Sequence, residues 1–340
     1  MLHYHNLSIN CMKSNKETFS KDKIIPHLNN HRFSFHGKNS QYWGLSLFNI
    51  LLIIITLGIY YPWAKSAIRN FLWEETELAN SRFKWHGTGK EMFKGFIKAY
   101  LILGSLIFTL NFSLYFLPPE YLIPVVFIIY LIILLLIPFI IHGMVRYRLS
   151  RTSYRGIFFG YNGNLKEFYG LCVKEFLLTL VTFGIYSFWM VVNIRKYILS
   201  HSFYGDVRCE FMGKGKEFFG ILLLSGILTI FTCYIYAPWA FVQVFKFNVG
   251  KIRLLQRVKS IPLYVSINAA HFYGTLLIAV LITVISLGIA APIGQLMMHK
   301  VYLESISLNK EFDFDGIKQV NSTYRDATGD DMADILDIGL

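Results

Sequence analysis

Charged residues are scarce in this 340-residue sequence, and they are absent from several long stretches. Asp, Glu, Lys and Arg make up 16% of the chain, whereas soluble domains have about 25%. The uncharged stretches are 39–64, 99–119, 121–145, 176–194, 218–245 and 260–299. Because a helix needs about 20 apolar residues to cross a bilayer, this pattern excludes an ordinary soluble domain and predicts an integral membrane protein.

Cysteine is also scarce, and catalytic motifs are lacking. The four cysteines are Cys11, Cys172, Cys209 and Cys233, and no two have C-x-x-C spacing, which argues against a disulfide framework or a cysteine metal site. The sequence contains no G-x-S-x-G or H-E-x-x-H motif. The phrases GTGKE (87–91) and GKGKE (213–217) place Glu where a phosphate-binding loop needs Ser or Thr. We therefore predict no catalytic residue, no metal, no cofactor, no nucleic-acid partner and no enzymatic activity.

The two ends of the chain differ from the region between them. Residues 1–31 are polar and lack an apolar signal-peptide region, so we predict a disordered leader. Residues 321–340 contain five Asp and one Arg, although the whole chain has a net charge of +12. The sequence thus predicts a membrane domain over 32–320 and an acidic tail over 321–340.

A short phrase of alternating aromatic residues recurs at intervals of about 50 residues and indicates an internal repeat. Its copies are FSFHG (33–37), FKWHG (83–87), FGYNG (159–163), CEFMG (209–213) and FDFDG (312–316), with LYVSI (263–267) as a degenerate copy. The alternation predicts a short strand that ends at the glycine. The repeat units fall at about 33–82, 83–158, 159–208, 209–262 and 263–316.

A second phrase interrupts the apolar stretches. It reads TLGIYYPW (56–63), TFGIYSFW (182–189), TCYIYAPW (232–239) and SLGIAAPI (286–293). Gly58 suits the end of one helix and Pro62 the first turn of the next, so the phrase predicts a turn between two helices. The predicted fold class is therefore an all-α integral membrane protein, in which each repeat has a short F-x-F-x-G strand and a broken or hairpin apolar helix.

Polar and amphipathic residues recur at fixed places in the repeats. The hydroxyls of Thr56, Thr182, Thr232 and Ser286 can line an ion path or bond to the preceding helical turn, which is their usual role. Asn49, Glu175 and Ser225 are predicted to form a polar column near the start of each first helix. If Glu175 lies at membrane depth, it is a candidate functional residue; the alternative is that it lies at the interface beside Lys174. We predict interface anchors at Tyr60, Trp63, Arg69, Tyr186, Trp189, Arg195, Tyr236 and Trp239. The two arginines are expected to contact anionic headgroups or, alternatively, a substrate.

Two membrane topologies are compatible with the apolar stretches. In the first, six spans alternate, and Lys and Arg then show no bias toward either face, which is unusual. In the second, each TLGIYxPW-type phrase is the tip of a re-entrant hairpin, and only the 99–145 pair spans the membrane with LPPE (117–120) outside. The second alternative places the basic residues in the cytoplasm and lets the short strands pair into a small cytoplasmic sheet.

Several phrases together resemble the YjgN family of bacterial inner-membrane proteins. They are TLGIYYPW with its following arginine, RFKWHGTGKEMFKGF (82–96) and GDDMADILDIGL (329–340). The resemblance covers about 33–340. It implies a multi-pass protein of the bacterial inner membrane, of uncharacterised function and without catalytic residues to transfer. We expect both termini to be cytoplasmic.

Two functions remain open from the sequence. Internal repeats with broken helices are typical of transporters, which favours a transporter or channel-like protein. The alternative is a non-catalytic membrane scaffold or envelope-maintenance protein, whose basic surface binds anionic lipid and whose acidic tail binds a protein partner. Neither that partner nor the oligomeric state can be deduced from the sequence.

Overall fold

The computed structural model describes residues 30–319, in which two helices follow every second strand. The strands are β1 (Asn30–Phe35), β2 (Thr76–Leu78), β3 (Ser81–Trp85), β4 (Thr152–Tyr154), β5 (Ile157–Tyr161), β6 (Ser202–Tyr204), β7 (Val207–Phe211), β8 (Ile252–Gln256), β9 (Lys259–Val265) and β10 (Ile306–Asn309). The helices are α1 (Asn39–Ile55), α2 (Tyr61–Glu74), α3 (Gly89–Phe116), α4 (Pro119–Ser150), α5 (Leu165–Val181), α6 (Ser187–Ser200), α7 (Gly215–Phe231), α8 (Ala237–Gly250), α9 (Ala269–Ile285) and α10 (Ala291–Glu304). The predicted leader and acidic tail lie almost entirely outside the described residues.

The strands form one closed antiparallel barrel in sequence order, with β1 paired to β10. Arg32 of β1 lies opposite Ser307 of β10, and Phe33 lies opposite Leu78 of β2. Because neighbouring strands run in opposite directions, all five helical hairpins leave from one rim. The tight β-turns, such as Ala79–Asn80 between β2 and β3, lie at the other rim.

The predicted all-α fold class is therefore wrong, since a ten-stranded barrel holds the described chain together. A short strand precedes each helical hairpin, and a second strand follows it and returns to the same sheet. These returning strands, such as TEL (76–78) and TSY (152–154), have only three residues in β2, β4 and β6. Three residues are too few to show the alternation by which strands are recognised in a sequence.

The barrel interior is packed with apolar side chains from all ten strands. Phe83 and Tyr154 lie with their ring centroids 4.6 Å apart, and Phe159 and Tyr204 with theirs 4.7 Å apart. The Tyr204 hydroxyl donates a hydrogen bond to the Tyr154 carbonyl at 2.8 Å. Burial raises the pKa of both phenols, so both remain protonated and act as donors. The interior is a hydrophobic core rather than a water-filled lumen.

The glycine of the F-x-F-x-G phrase makes room for the aromatic ring two residues before it. A Cβ atom at Gly37 would overlap the Phe35 ring, and one at Gly163 would overlap the Tyr161 ring. The same holds for Gly87 with Trp85. The phrase therefore encodes a strand whose last aromatic ring folds back over its own end, where the chain turns into a helix.

The last copy of the phrase, FDFDG at 312–316, does not form a strand. It belongs to a segment, 310–319, that packs against the barrel core through Phe312, Phe314 and Ile317. The backbone of Asp313 exchanges two hydrogen bonds with the Gln256 side chain, at 2.6 and 3.0 Å. We call 310–319 the closing segment, because it lies against the β-turn rim, next to Gly205.

The five helical hairpins pack side by side in a ring, in which α10 also contacts α1. Two helices of the described chain, α3 and α4, are long and apolar enough to cross a membrane, and few of their residues are buried. The helices α1 and α9 are apolar but shorter. Six alternating spans would put successive strands on opposite faces of a membrane. They are incompatible with this arrangement, because the bases of all five hairpins lie at one rim of a single closed barrel.

Candidate functional site

The four interrupting phrases form the tips of the four short hairpins, and in each phrase a side-chain hydroxyl bridges the turn between the two helices. Thr56 Oγ1 donates to the Leu52 carbonyl at 2.7 Å and accepts from the Tyr60 backbone N–H at 3.0 Å. Thr182 and Thr232 make the equivalent pairs of bonds, and Ser286 differs only in donating to the carbonyl three residues before it, that of Thr283, at 3.2 Å. Such bonds satisfy an N–H group at a helix start that would otherwise lack a partner. These contacts favour the structural interpretation of the hydroxyls.

Apolar residues stand fully exposed at the same tips. Leu57, Phe183 and Leu287 are 93%, 98% and 92% exposed, and each directly follows one of these hydroxyl residues. All three have φ of about +50°, a conformation that costs a non-glycine residue free energy. Exposed apolar tips of this kind would be unfavourable in water and are suited to the hydrocarbon of a bilayer.

The predicted aromatic anchors form stacked pairs, and their tryptophans join neighbouring hairpins. Tyr60 stacks on Trp63 at 6.0 Å, and Trp63 packs against Phe93 of α3 at 4.9 Å. Tyr186 with Trp189 and Tyr236 with Trp239 repeat this stacking. Trp189 packs against Phe219 of α7, and Trp239 against Tyr273 of α9. The sequence suggested an interface role and did not reveal this contact between hairpins.

Within the polar column, Glu175 is the member with a side-chain partner. It is 3% exposed, and its Oε2 accepts a hydrogen bond from Asn193 Nδ2 on α6 at 2.9 Å. Asn49 Nδ2 is buried without a hydrogen-bond partner among the described residues, and Ser225 is also buried. No hydrogen bond of the described chain joins these three residues to one another, so they do not form a continuous polar path.

The two predicted arginine anchors have different surroundings. The Arg195 guanidinium donates to the Asn248 carbonyl, near the end of α8, at 3.0 Å and lies over the Phe211 ring. It therefore links α6 to α8 inside the protein. Arg69 lies over the Trp85 ring, 5.0 Å from its centroid, and borders an open groove.

This groove, between α2, α3 and α4, is the principal candidate site. It has a volume of about 440 Å³, and apolar side chains of the two long helices form most of its wall. Four basic side chains and two tyrosines line it as well: Lys65, Arg69, Lys98, Arg148, Tyr61 and Tyr147. An apolar cleft with a few polar groups is the usual form of a ligand site. Sequence reasoning missed the groove because its basic residues come from three different helices.

An ion pair between Arg151 and Glu91 lies close to the groove. Arg151 binds both carboxylate oxygens of Glu91, at 3.1 and 3.2 Å, and Tyr147 donates to the same carboxylate at 3.3 Å. Glu91 also completes a capping box with Thr88 at the start of α3. Within residues 30–319, no three His, Cys, Asp or Glu side chains are arranged so that they could hold a metal ion.

Comparison with known proteins defines the class to which this ring of hairpins on a barrel belongs. Residues 30–212 match the family described as "Bacterial protein of unknown function (DUF898)", and the chain is a member of that family. It is similar to the "Inner membrane protein YjgN" of Escherichia coli K12, with 30% identity over 156 residues, which are 46% of this chain and 36% of that protein. The protein of the same name from Salmonella typhimurium LT2 is 30% identical over 139 residues, 41% of this chain and 33% of its own length.

These matches confirm the resemblance to the YjgN family. The matched region spans only about a third of the length of these curated relatives. No solved structure matches the chain.

Proposed function

We propose that this protein is a multi-pass inner-membrane protein that acts as a non-catalytic, lipid-binding scaffold, with its barrel in the cytoplasm. The observation that carries the proposal is the departure of all five hairpins from one barrel rim. The name of the relatives, inner membrane protein, supports the placement of this protein in the inner membrane.

The helix lengths support two kinds of hairpin. At about 1.5 Å per residue, α3 and α4 extend about 42 and 48 Å, which exceeds the roughly 30 Å hydrocarbon core. The helices α1 and α2 extend only about 26 and 21 Å, and the other three short hairpins repeat these lengths. We therefore propose that one hairpin spans the bilayer and four enter it without crossing.

The positions of the basic residues favour a cytoplasmic barrel. The tips of the short hairpins, 56–60, 182–186, 232–236 and 286–290, contain no Lys or Arg, and neither does 117–120 between α3 and α4. Basic residues instead lie on the barrel and on the helix segments next to it. Because Lys and Arg are retained on the cytoplasmic side, this distribution supports a cytoplasmic position for the barrel rim and for both ends of the described chain.

The packed barrel supports a scaffold rather than an axial channel. Every strand contributes to the hydrophobic core, and the closing segment covers the rim that would open to the cytoplasm. A water-filled path along the barrel axis would require this core to unpack. Binding of a protein partner by the acidic tail remains a prediction, since 321–340 lies outside the described residues.

Reconstitution tests this function. The purified chain, incorporated into phosphatidylglycerol-containing vesicles, is expected to resist alkaline extraction and to leave ion and small-solute leakage at the rate of protein-free vesicles. Solute flux that depends on the protein would contradict the scaffold proposal, whereas release at alkaline pH would contradict membrane embedding.

Transport is a second candidate, and the buried Glu175 side chain, which accepts a hydrogen bond from Asn193, favours it. A carboxylate within an apolar hairpin is costly and is often retained for ion or proton movement. If vesicles show flux, Glu175→Gln should abolish it, because the amide cannot exchange a proton. Full flux in this variant would exclude Glu175 from the transport path.

A further inference from the structure

We propose that the groove between α2, α3 and α4 binds one anionic phospholipid, with the phosphate near the barrel and an acyl chain between the two long helices. This site deepens the lipid-binding function proposed above and rests on the same membrane placement. It differs from general attraction to an anionic surface, because it predicts a saturable site with defined side chains.

The basic side chains of the groove lack acidic partners. Among the described residues, no carboxylate lies within salt-bridge distance of Lys65, Arg69, Lys98 or Arg148. Arg69 and Arg148 carry like charges and line the same groove, and Arg69 is half-buried. Arg151 provides a contrast, since Glu91 neutralises it. A phosphate between Arg69 and Arg148 would supply the missing negative charge.

The groove is polar at one end and apolar at the other, in the direction expected for a phospholipid. Arg148 lies two residues before the end of α4 at the barrel, whereas Ile133 lies 15 residues earlier, about 22 Å deeper in the proposed membrane. Leu106 and Leu103 of α3 line the groove from the facing side. A headgroup at the cytoplasmic interface would therefore have its acyl chain directed toward the bilayer centre.

Charge variants test the headgroup contact on the purified full chain in detergent. Lipid binding is measured by native mass spectrometry and by thermal shift, with phosphatidylglycerol and phosphatidylcholine of the same acyl chains. We expect phosphatidylglycerol to bind about tenfold more tightly, and the variant Arg69→Gln/Arg148→Gln to lose this preference. The control Lys94→Gln lies on α3 outside the groove and should keep it. Equal affinities in the native chain would overturn the proposal.

Steric variants test the acyl chain without changing charge. Gly143 lines the groove, and no atom lies within 4 Å of a Cβ built on it, so Gly143→Leu should fill the groove without displacing its walls. Gly104 on α3 is equally open but lies outside the groove, which makes Gly104→Leu the matched control. We expect Gly143→Leu to lower phosphatidylglycerol affinity about tenfold and Gly104→Leu to leave it unchanged.

Other occupants give different outcomes. Competition by inorganic phosphate as effective as that by phosphatidylglycerol would identify a simple anion site and overturn the lipid assignment. A change of oligomeric state in Gly143→Leu, with lipid binding intact, would show that a second copy fills the groove and would also overturn it. If the protein stays in the membrane but Arg69→Gln/Arg148→Gln and Gly143→Leu bind lipid as the native chain does, this site alone is contradicted. If alkaline extraction releases the protein from the membrane, the proposed function is contradicted.

Discussion

The indole ring of Trp189, in α6, lies over Gly215, the first residue of α7, so closely that a Cβ atom on Gly215 would overlap it. The equivalent pair, Trp63 and Gly89, joins α2 to α3. The second glycine in the phrases GTGKE and GKGKE therefore packs against the tryptophan of the preceding hairpin. At these two junctions the contact sets the distance between adjacent hairpins.

We expect Gly215→Ala to destabilise the protein by about 1–3 kcal/mol, because the added methyl group must displace the Trp189 ring. Gly220→Ala, in the same helix, is the control: nothing lies within 4 Å of its Cβ position, so it should be neutral or stabilising by up to about 1 kcal/mol. Thermal unfolding in detergent compares the two variants. Equal stabilities would show that the contact between Trp189 and Gly215 does not hold the hairpins together.

The Glu175–Asn193 hydrogen bond gives a second prediction. Glu175→Ala removes a buried carboxylate that accepts a hydrogen bond from the half-buried Asn193 amide, and it should cost about 1–3 kcal/mol of stability. Glu175→Gln keeps an acceptor oxygen and should cost less than about 1 kcal/mol. Unfolding of the two variants is measured side by side. A loss in Glu175→Gln as large as that in Glu175→Ala would mean that the negative charge, and not the hydrogen bond, stabilises this hairpin.

The closing segment gives a third prediction. Phe312 is 4% exposed, and its ring centroid lies 4.8 Å from that of Phe314. Phe312→Ala should therefore destabilise the barrel by about 3–5 kcal/mol and make 310–319 sensitive to limited proteolysis. Lys318→Ala is the control, because the contact of Lys318 with Asp206 uses only its backbone N–H. Protease resistance equal to that of the control would argue that the barrel core is stable without the segment.

Much of the helical architecture could be predicted from the sequence, because it depends on neighbouring residues. The long uncharged stretches indicated the apolar helices, and the glycine and proline of TLGIYYPW indicated a turn at 56–63. Thr88 and Glu91 have the spacing of a capping box, and the structure contains that box. These features require only local hydrogen bonding and hydrophobicity.

The barrel and the groove could not be predicted, because both depend on contacts between distant parts of the chain. Closure requires β1 to pair with β10 from the opposite end of the described chain, and the three-residue strands have no recognisable alternation. FDFDG (312–316) repeats the strand phrase but packs against the barrel core instead. In the groove, Lys65, Lys98 and Arg148 meet only after three helices have packed together.

The central claim, that all five hairpins leave one cytoplasmic barrel, is tested most directly by cysteine accessibility. In a background with Cys11, Cys172, Cys209 and Cys233 replaced by serine, single cysteines are introduced as Lys90→Cys, Lys214→Cys or Glu120→Cys. Intact cells with a permeabilised outer membrane are then treated with a thiol reagent that cannot cross the inner membrane. Lys90 and Lys214 are exposed, and they adjoin the barrel at the starts of α3 and α7.

The account predicts that Glu120→Cys reacts in intact cells, because it lies at the far end of the spanning hairpin, and that Lys90→Cys and Lys214→Cys react only after the inner membrane is permeabilised. Six alternating spans would place positions 90 and 214 on opposite faces. Labelling of Lys90→Cys in intact cells, with Lys214→Cys protected, would contradict a single cytoplasmic barrel as the base of all five hairpins.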